Sequence, residues 1–83
     1  MNRAQLEDTI RGLLKVDVIE IEDLTGTSDH WRVMIVSPDF EGKTKIEQHK
    51  LIFDPLQDKI QSNEIHALTL KTFTPEKWAK VNS

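Results

Sequence analysis

Leu6, Ile10, Leu13 and Leu14 fall at i, i+4, i+7 and i+8, the apolar stripe of an amphipathic helix at the start of the chain. Gly12 lies inside that stripe and is read as weakening the helix without ending it. After Lys15 the period changes from about 3.6 to 2. Ile19 and Ile21 alternate with Glu20 and Glu22, so 17–24 reads as a strand with one wet face. TGTSD, Thr25 to Asp29, is turn chemistry, and HWRVMIVS resumes as a second strand. There Trp31, Val33 and Ile35 share one face, while Arg32, Met34 and Val36 share the other. So short a loop predicts an antiparallel hairpin.

Ser37-Pro38 stops the second strand, and Phe40-Glu41-Gly42 predicts a turn. From Lys43 to about Ile60, the residues Ile46, His49, Phe53, Leu56 and Ile60 recur at steps of three and four, a second helical stripe. Pro55 kinks it or divides it in two. After Ser62-Asn63, the run Ile65 to Lys71 reads as a third strand with His66, Leu68 and Leu70 on one face. Thr74-Pro75 then opens a short last helix: the threonine caps it, proline suits the first turn, and Glu76 suits the dipole. Trp78 gives that helix something to bury. A helical connection between strands two and three requires them to be parallel, with a right-handed crossover. The expected fold is α+β: one domain over 1–83, ordered αββα(α)βα, with a mixed three-stranded sheet covered by helices on one face.

Composition narrows the function more than it names it. Hydrophobic residues make up 37% and charged residues 30% of 83, a globular balance. The net charge of −3 gives no general attraction to nucleic acid or anionic lipid. No apolar run approaches the roughly 20 residues that span a bilayer. The opening MNRAQLEDTIRGLL has acidic residues and lacks an apolar core, unlike a secretory or transit peptide. The expected location is a bacterial cytoplasm, or an organellar matrix after removal of a presequence. There is no cysteine, which excludes disulfides, thiol catalysis and a self-contained iron–sulfur site.

Candidate chemistry is sparse. No GxGxxG, Walker loop, HExxH or GxSxG is present. The carboxylate pairs Glu20/Glu22 and Glu7/Asp8 read as solvated faces rather than acid–base dyads, and nothing supports an enzyme. Lys43, Lys45 and Lys50 form a modest basic patch, offset by Glu41 and Glu47. Of the three histidines, His49 reads as a helix residue at the rim of its stripe. His30 and His66, taken singly, read as ordinary hydrogen-bonded strand-end residues. Parallel strands two and three nevertheless start at one sheet edge, so these two imidazoles together make half of a possible metal site that lacks two ligands.

The segments VSPDFEGKTKIEQHKLI and EIHALTLKTFTPEKW resemble the BolA-like family. The matching positions are Phe40 and Gly42, then His49-Lys50, then Ile65-His66-Ala67-Leu68, and finally Lys71-Thr72-Phe73-Thr74-Pro75-Glu76 with Trp78. LTGTSDHW, Leu24 to Trp31, is similar to the family's form with histidine in the hairpin region. Where many members carry arginines around His49, this chain has Gln48 and Lys50, which thins any phosphate-binding role.

The resemblance implies a KH-like domain of the class II type without a GxxG loop, and here the glycines stand apart at Gly12, Gly26 and Gly42. It also implies a partnership. BolA-like proteins bind monothiol glutaredoxins and share a bridged 2Fe–2S cluster, for which the glutaredoxin and its glutathione supply thiolates. The position matching the family's histidine ligand is His66, with a second ligand at His30. Partner contacts are expected at His49, Lys50, Lys71 and Phe73, the isolated chain being a monomer without a cluster. One alternative is a transcriptional regulator that binds DNA through Lys43, Lys45, Lys50 and Lys71. Another is a glutaredoxin adaptor that shares no cluster.

Overall fold

The computed structural model describes residues 2–26, 30–62, 65 and 67–81. Its elements are helix α1 (Arg3–Arg11), strands β1 (Val18–Asp23) and β2 (His30–Val36), helices α2 (Lys45–Phe53) and α3 (Gln57–Gln61), strand β3 (Ala67–Phe73) and helix α4 (Pro75–Val81). A short 3-10 turn, Pro38–Phe40, follows β2. The sheet order is β1-β2-β3, with β1 and β2 antiparallel and β2 and β3 parallel. This is the expected small α+β architecture.

Local signals start the helices. Asn2 caps α1 in a capping box: its side chain accepts the Gln5 N–H at 2.8 Å, and Gln5 Oε1 accepts the Asn2 N–H at 2.9 Å. Thr44 and Glu47 repeat the arrangement at α2. Thr74 Oγ1 accepts the Lys77 N–H at 3.2 Å, so the expected cap of α4 is in place.

Three details differ from the expected pattern. Helix α1 ends at Arg11 because the Gly12 N–H closes on the Asp8 and Thr9 carbonyls. Leu13 and Leu14 therefore lie beyond the helix, although Leu14 still packs against the core. On α2 the inward residues are Gln48 and Ile52, and Ile46 is 69% exposed, so the predicted stripe was rotated. Strand β3 runs two residues later than expected. Ile65, fully buried, is a core residue before the strand, its N–H bonded to the Lys59 carbonyl. Pro55 does divide the middle helix, into α2 and α3.

The core lies against one sheet face. Trp31, Val33 and Ile35 of β2 meet Leu6 and Ile10 of α1, Phe40 of the 3-10 turn, Ile52, Leu56 and Ile65 of the crossover, and Leu70 of β3. The other face is not simply wet. Met34 and Val36 are buried there too, with Phe73 opposite Val36 and its ring 5.5 Å from that of Trp78 on α4. The last helix thus turns its aromatic residue to the face the others leave open.

One polar group is built into this core. The Gln48 side chain, 4% exposed, donates through Nε2 to the Phe40 and Lys43 carbonyls at 3.1 and 3.0 Å. Its Oε1 accepts the Thr72 hydroxyl at 2.6 Å. The amide ties α2 both to the loop before it and to the far end of β3. Removing it takes one partner from each of the Phe40 and Lys43 carbonyls and from the buried Thr72 hydroxyl, so Gln48→Ala is expected to cost about 2–4 kcal/mol of folding stability in urea unfolding. Thr72→Val should cost about 1–2 kcal/mol, and the two losses should couple by about 1 kcal/mol in a double-mutant cycle.

Candidate functional site

His30 is the first residue of β2, half-buried, and its carbonyl accepts the Leu24 N–H at 2.9 Å to close the described end of the hairpin. Across the parallel pair its partner is Ala67, the first residue of β3. The two strands therefore start level at one sheet edge, as the crossover required. Ala67 is preceded in sequence by His66, which lies outside the described residues, as do 27–29 of the hairpin loop. Immediately after His30, the Trp31 side chain is 2% exposed and its indole N–H has no hydrogen-bond partner among the described residues. A buried N–H left unpaired costs about 1–3 kcal/mol, so this strand start is held by packing against a polar penalty.

The donor set at this edge holds no sulfur. The chain has no cysteine, and among the described residues no group of three or more histidine, aspartate and glutamate side chains is placed to hold a metal ion. His30 can supply one ligand of a shared site; it cannot complete one. His49 stands on α2 with its ring edge-on to Phe53, centroids 6.3 Å apart.

The far end of β3 gathers different chemistry. Lys45 donates from Nζ to the Thr72 carbonyl and lies 5.2 Å from the Phe73 ring centroid. Phe73 and Trp78 then form one wall of a hollow of about 480 Å³ on the second sheet face, where Lys71, Arg32 and Met34 also line it. Arg32 pairs there with Glu22 at 3.5 Å. Sequence reasoning missed this hollow. The signal was available in the alternation of Arg32, Met34 and Val36, whose apolar members needed a cover, and Phe73 and Trp78 line the hollow beside Met34.

The four candidate lysines do not form one stripe. Lys71 is on the second sheet face, whereas Lys43, Lys45 and Lys50 belong to α2 and its approach on the other side. Lys45 is occupied at the end of β3, and Lys43 and Lys50 both act on Glu47. The Glu47 carboxyl is held below the usual glutamate range, first by its bonds with Thr44 and then by these two lysines.

Comparison with known proteins adds the following. The family model described as BolA-like protein matches residues 14–77. BolA-like protein 2 of Mus musculus is 35% identical over 77 residues, spanning 90% of this chain and 87% of that protein. The crystal structure of a bol-like protein from Babesia bovis matches with a TM-score of 0.86 at 26% identity, over 100% of this chain and 95% of that one. The BolA domain of SufE1 from Arabidopsis thaliana matches with a TM-score of 0.80 at 30% identity, over 89% and 92%.

A lowered carboxyl pKa in the folded state stabilises the fold above the unfolded value, and that stabilisation disappears as pH falls through the folded value. The α2 cap is therefore expected to weaken only below the ordinary glutamate range. Carboxyl carbon NMR should find Glu47 titrating there, and Thr44→Ala should move it back up.

Proposed function

The chain belongs to the BolA-like family, and we propose that it acts as a non-enzymatic partner of a monothiol glutaredoxin, sharing a bridged 2Fe–2S cluster in iron–sulfur trafficking. One observation carries the reading: the register that sets His30 level with Ala67, the residue next to His66 in sequence. The residue level with His30 follows a second imidazole-bearing residue in sequence, in a chain without thiols. His30 and His66 would hold one iron, while the glutaredoxin and its glutathione supply thiolates to the other. The cluster would give the pair a site that can hold, sense or hand over iron and sulfide. His49 and Lys50 on α2, with Lys71 and Phe73 on β3, are the proposed partner contacts. The occurrence of a BolA domain within SufE1 supports a role as an interaction module.

The DNA-binding alternative draws less support. It needs Lys43, Lys45, Lys50 and Lys71 to follow one phosphate backbone, yet Lys45 is engaged with Thr72 and Phe73 and Lys71 lines the opposite sheet face.

The test is reconstitution of a 2Fe–2S cluster on a monothiol glutaredoxin with glutathione, followed by visible absorption and circular dichroism. Wild-type protein should change the spectrum, His66→Ala should abolish the change, and His30→Ala should reduce or abolish it. Because imidazoles bind metal only when neutral, the shared spectrum should fade as pH drops through the histidine range. Binding without a spectral change would replace this reading with the cluster-free adaptor. Neither binding nor change, together with salt-sensitive DNA binding, would favour the regulator.

A further inference from the structure

The sheet has two outer edges, β1 and β3, and they are finished differently. The Leu24 N–H donates to the His30 carbonyl, one step past the level pair Asp23 and Trp31. Bonded and non-bonded pairs alternate along an antiparallel ladder. Glu22 and Glu20 therefore turn their backbone groups to Arg32 and Met34, while Ile21 and Ile19 turn theirs outward. At the other side the Ser37 N–H donates to the Phe73 carbonyl. Phe73, Lys71 and Thr69 thus face β2 with their backbone groups, and Thr72, Leu70 and Leu68 face outward.

The β3 edge is closed. Leu70 and Thr72 are buried, and Lys45 of α2 donates from Nζ to the outward Thr72 carbonyl. A lysine laid across an edge opposes the pairing of a further strand. The β1 edge has no such stopper among the described residues. None of Val18–Asp23 is buried, and the outward groups of Ile19 and Ile21 have no partner beyond the sheet among the described residues.

The side chains along this edge define what would fill it. Ile19 and Ile21 pack against the core, whereas Glu20 and Glu22 stand exposed on the second face. A strand laid beside β1 sets apolar residues level with the isoleucines and its alternate residues level with the glutamates. Glu22 already pairs with Arg32, and Glu20 makes no ion pair among the described residues. Glu20 also lines the hollow walled by Phe73 and Trp78, whose ring faces favour a cation. A second copy of this chain fits badly. Antiparallel pairing of Ile19 with the other copy's Ile21 sets Glu20 against Glu20.

We propose that the β1 edge is a docking site for an extended segment of a partner protein in which basic and apolar residues alternate. The segment adds a strand through the backbone of Ile19 and Ile21, and its basic side chains meet Glu20 and Glu22.

The test titrates the intact, isotope-labelled protein with short capped peptides that alternate valine with lysine, or valine with glutamate. The lysine peptide should slow amide hydrogen exchange at Ile19 and Ile21 at least about threefold, with Leu68 and Leu70 unchanged. Glu20→Lys, at an exposed position, should weaken the lysine peptide about fivefold and favour the glutamate peptide. N-methylation of the peptide nitrogens that face β1 should abolish binding, because it removes donors and keeps the charge. Undiminished binding of the methylated peptide would reduce the contact to charge attraction and overturn strand addition. Equal binding of the two parent peptides, or protection of β3 in place of β1, overturns the site. Protection that grows with protein concentration alone assigns the edge to a second copy and overturns the partner. No protection in any mixture overturns the proposal as well.

Discussion

The parallel pairing of β2 with β3 is the constraint from which the rest of the molecule follows. Parallel neighbours cannot be joined by a tight turn, so the chain must leave the end of β2 and travel back along the sheet before β3 begins. That return is α2 and α3, and its packing supplies Ile52, Leu56 and Ile65 to the core. Hydrophobic contacts alone would let such a crossover slide. The Gln48 amide fixes it, because its three hydrogen bonds are satisfied together only when α2, the 40–43 loop and Thr72 stand in one arrangement. The same pairing polarises the chemistry. Strand starts bring His30 and Ala67 to one edge, and the end of β3 meets Lys45 and Trp78 at the other.

The two sheet faces solve different problems. One is sealed by three helices and the 3-10 turn. The second carries charges at its margin, Glu20, Glu22, Arg32 and Lys71, around an apolar centre of Met34 and Val36. A centre that apolar would be a liability on an open sheet of so small a protein. Trp78 covers part of it with only a short helix, because Thr74 caps α4 directly after β3 and Phe73 offers a ring to pack against.

Much of this was legible in the sequence, and the parts that were not have definite physical causes. The change of period at Lys15, the TGTSD turn and Thr74-Pro75 placed the elements and their order, and topology alone set the strand directions. The phase of α2 was missed because apolar periodicity cannot see a core position filled by an amide. Gln48 is buried only because its partners arrive from the preceding loop and from Thr72, far along the chain. Ile46, which fits the stripe by type, is left outside. Gly12 was read as a weak point within α1 and is its end, since a terminal N–H closing on two carbonyls leaves no trace in residue type. At the candidate site, the level starts of β2 and β3 were foreseeable. The unpaired indole N–H of Trp31 and the dispersal of the lysines over two faces were not, because both depend on tertiary placement.

The donor inventory sets what kind of metal chemistry the proposal allows. With no thiol, and no cluster of three ligating side chains among the described residues, the chain can contribute only nitrogen and oxygen donors to a cluster. Two neutral imidazoles bind iron less firmly than two thiolates and release it when protonated. Under the shared-cluster proposal, strong binding must then reside in the partner's sulfur ligands, while the histidine side determines how readily the cluster is let go. A rigid parallel register suits that division of labour. Under that proposal, His30 would sit level with the start of β3 and leave the rest of the ligand set to the partner, so affinity would depend on the partner being present.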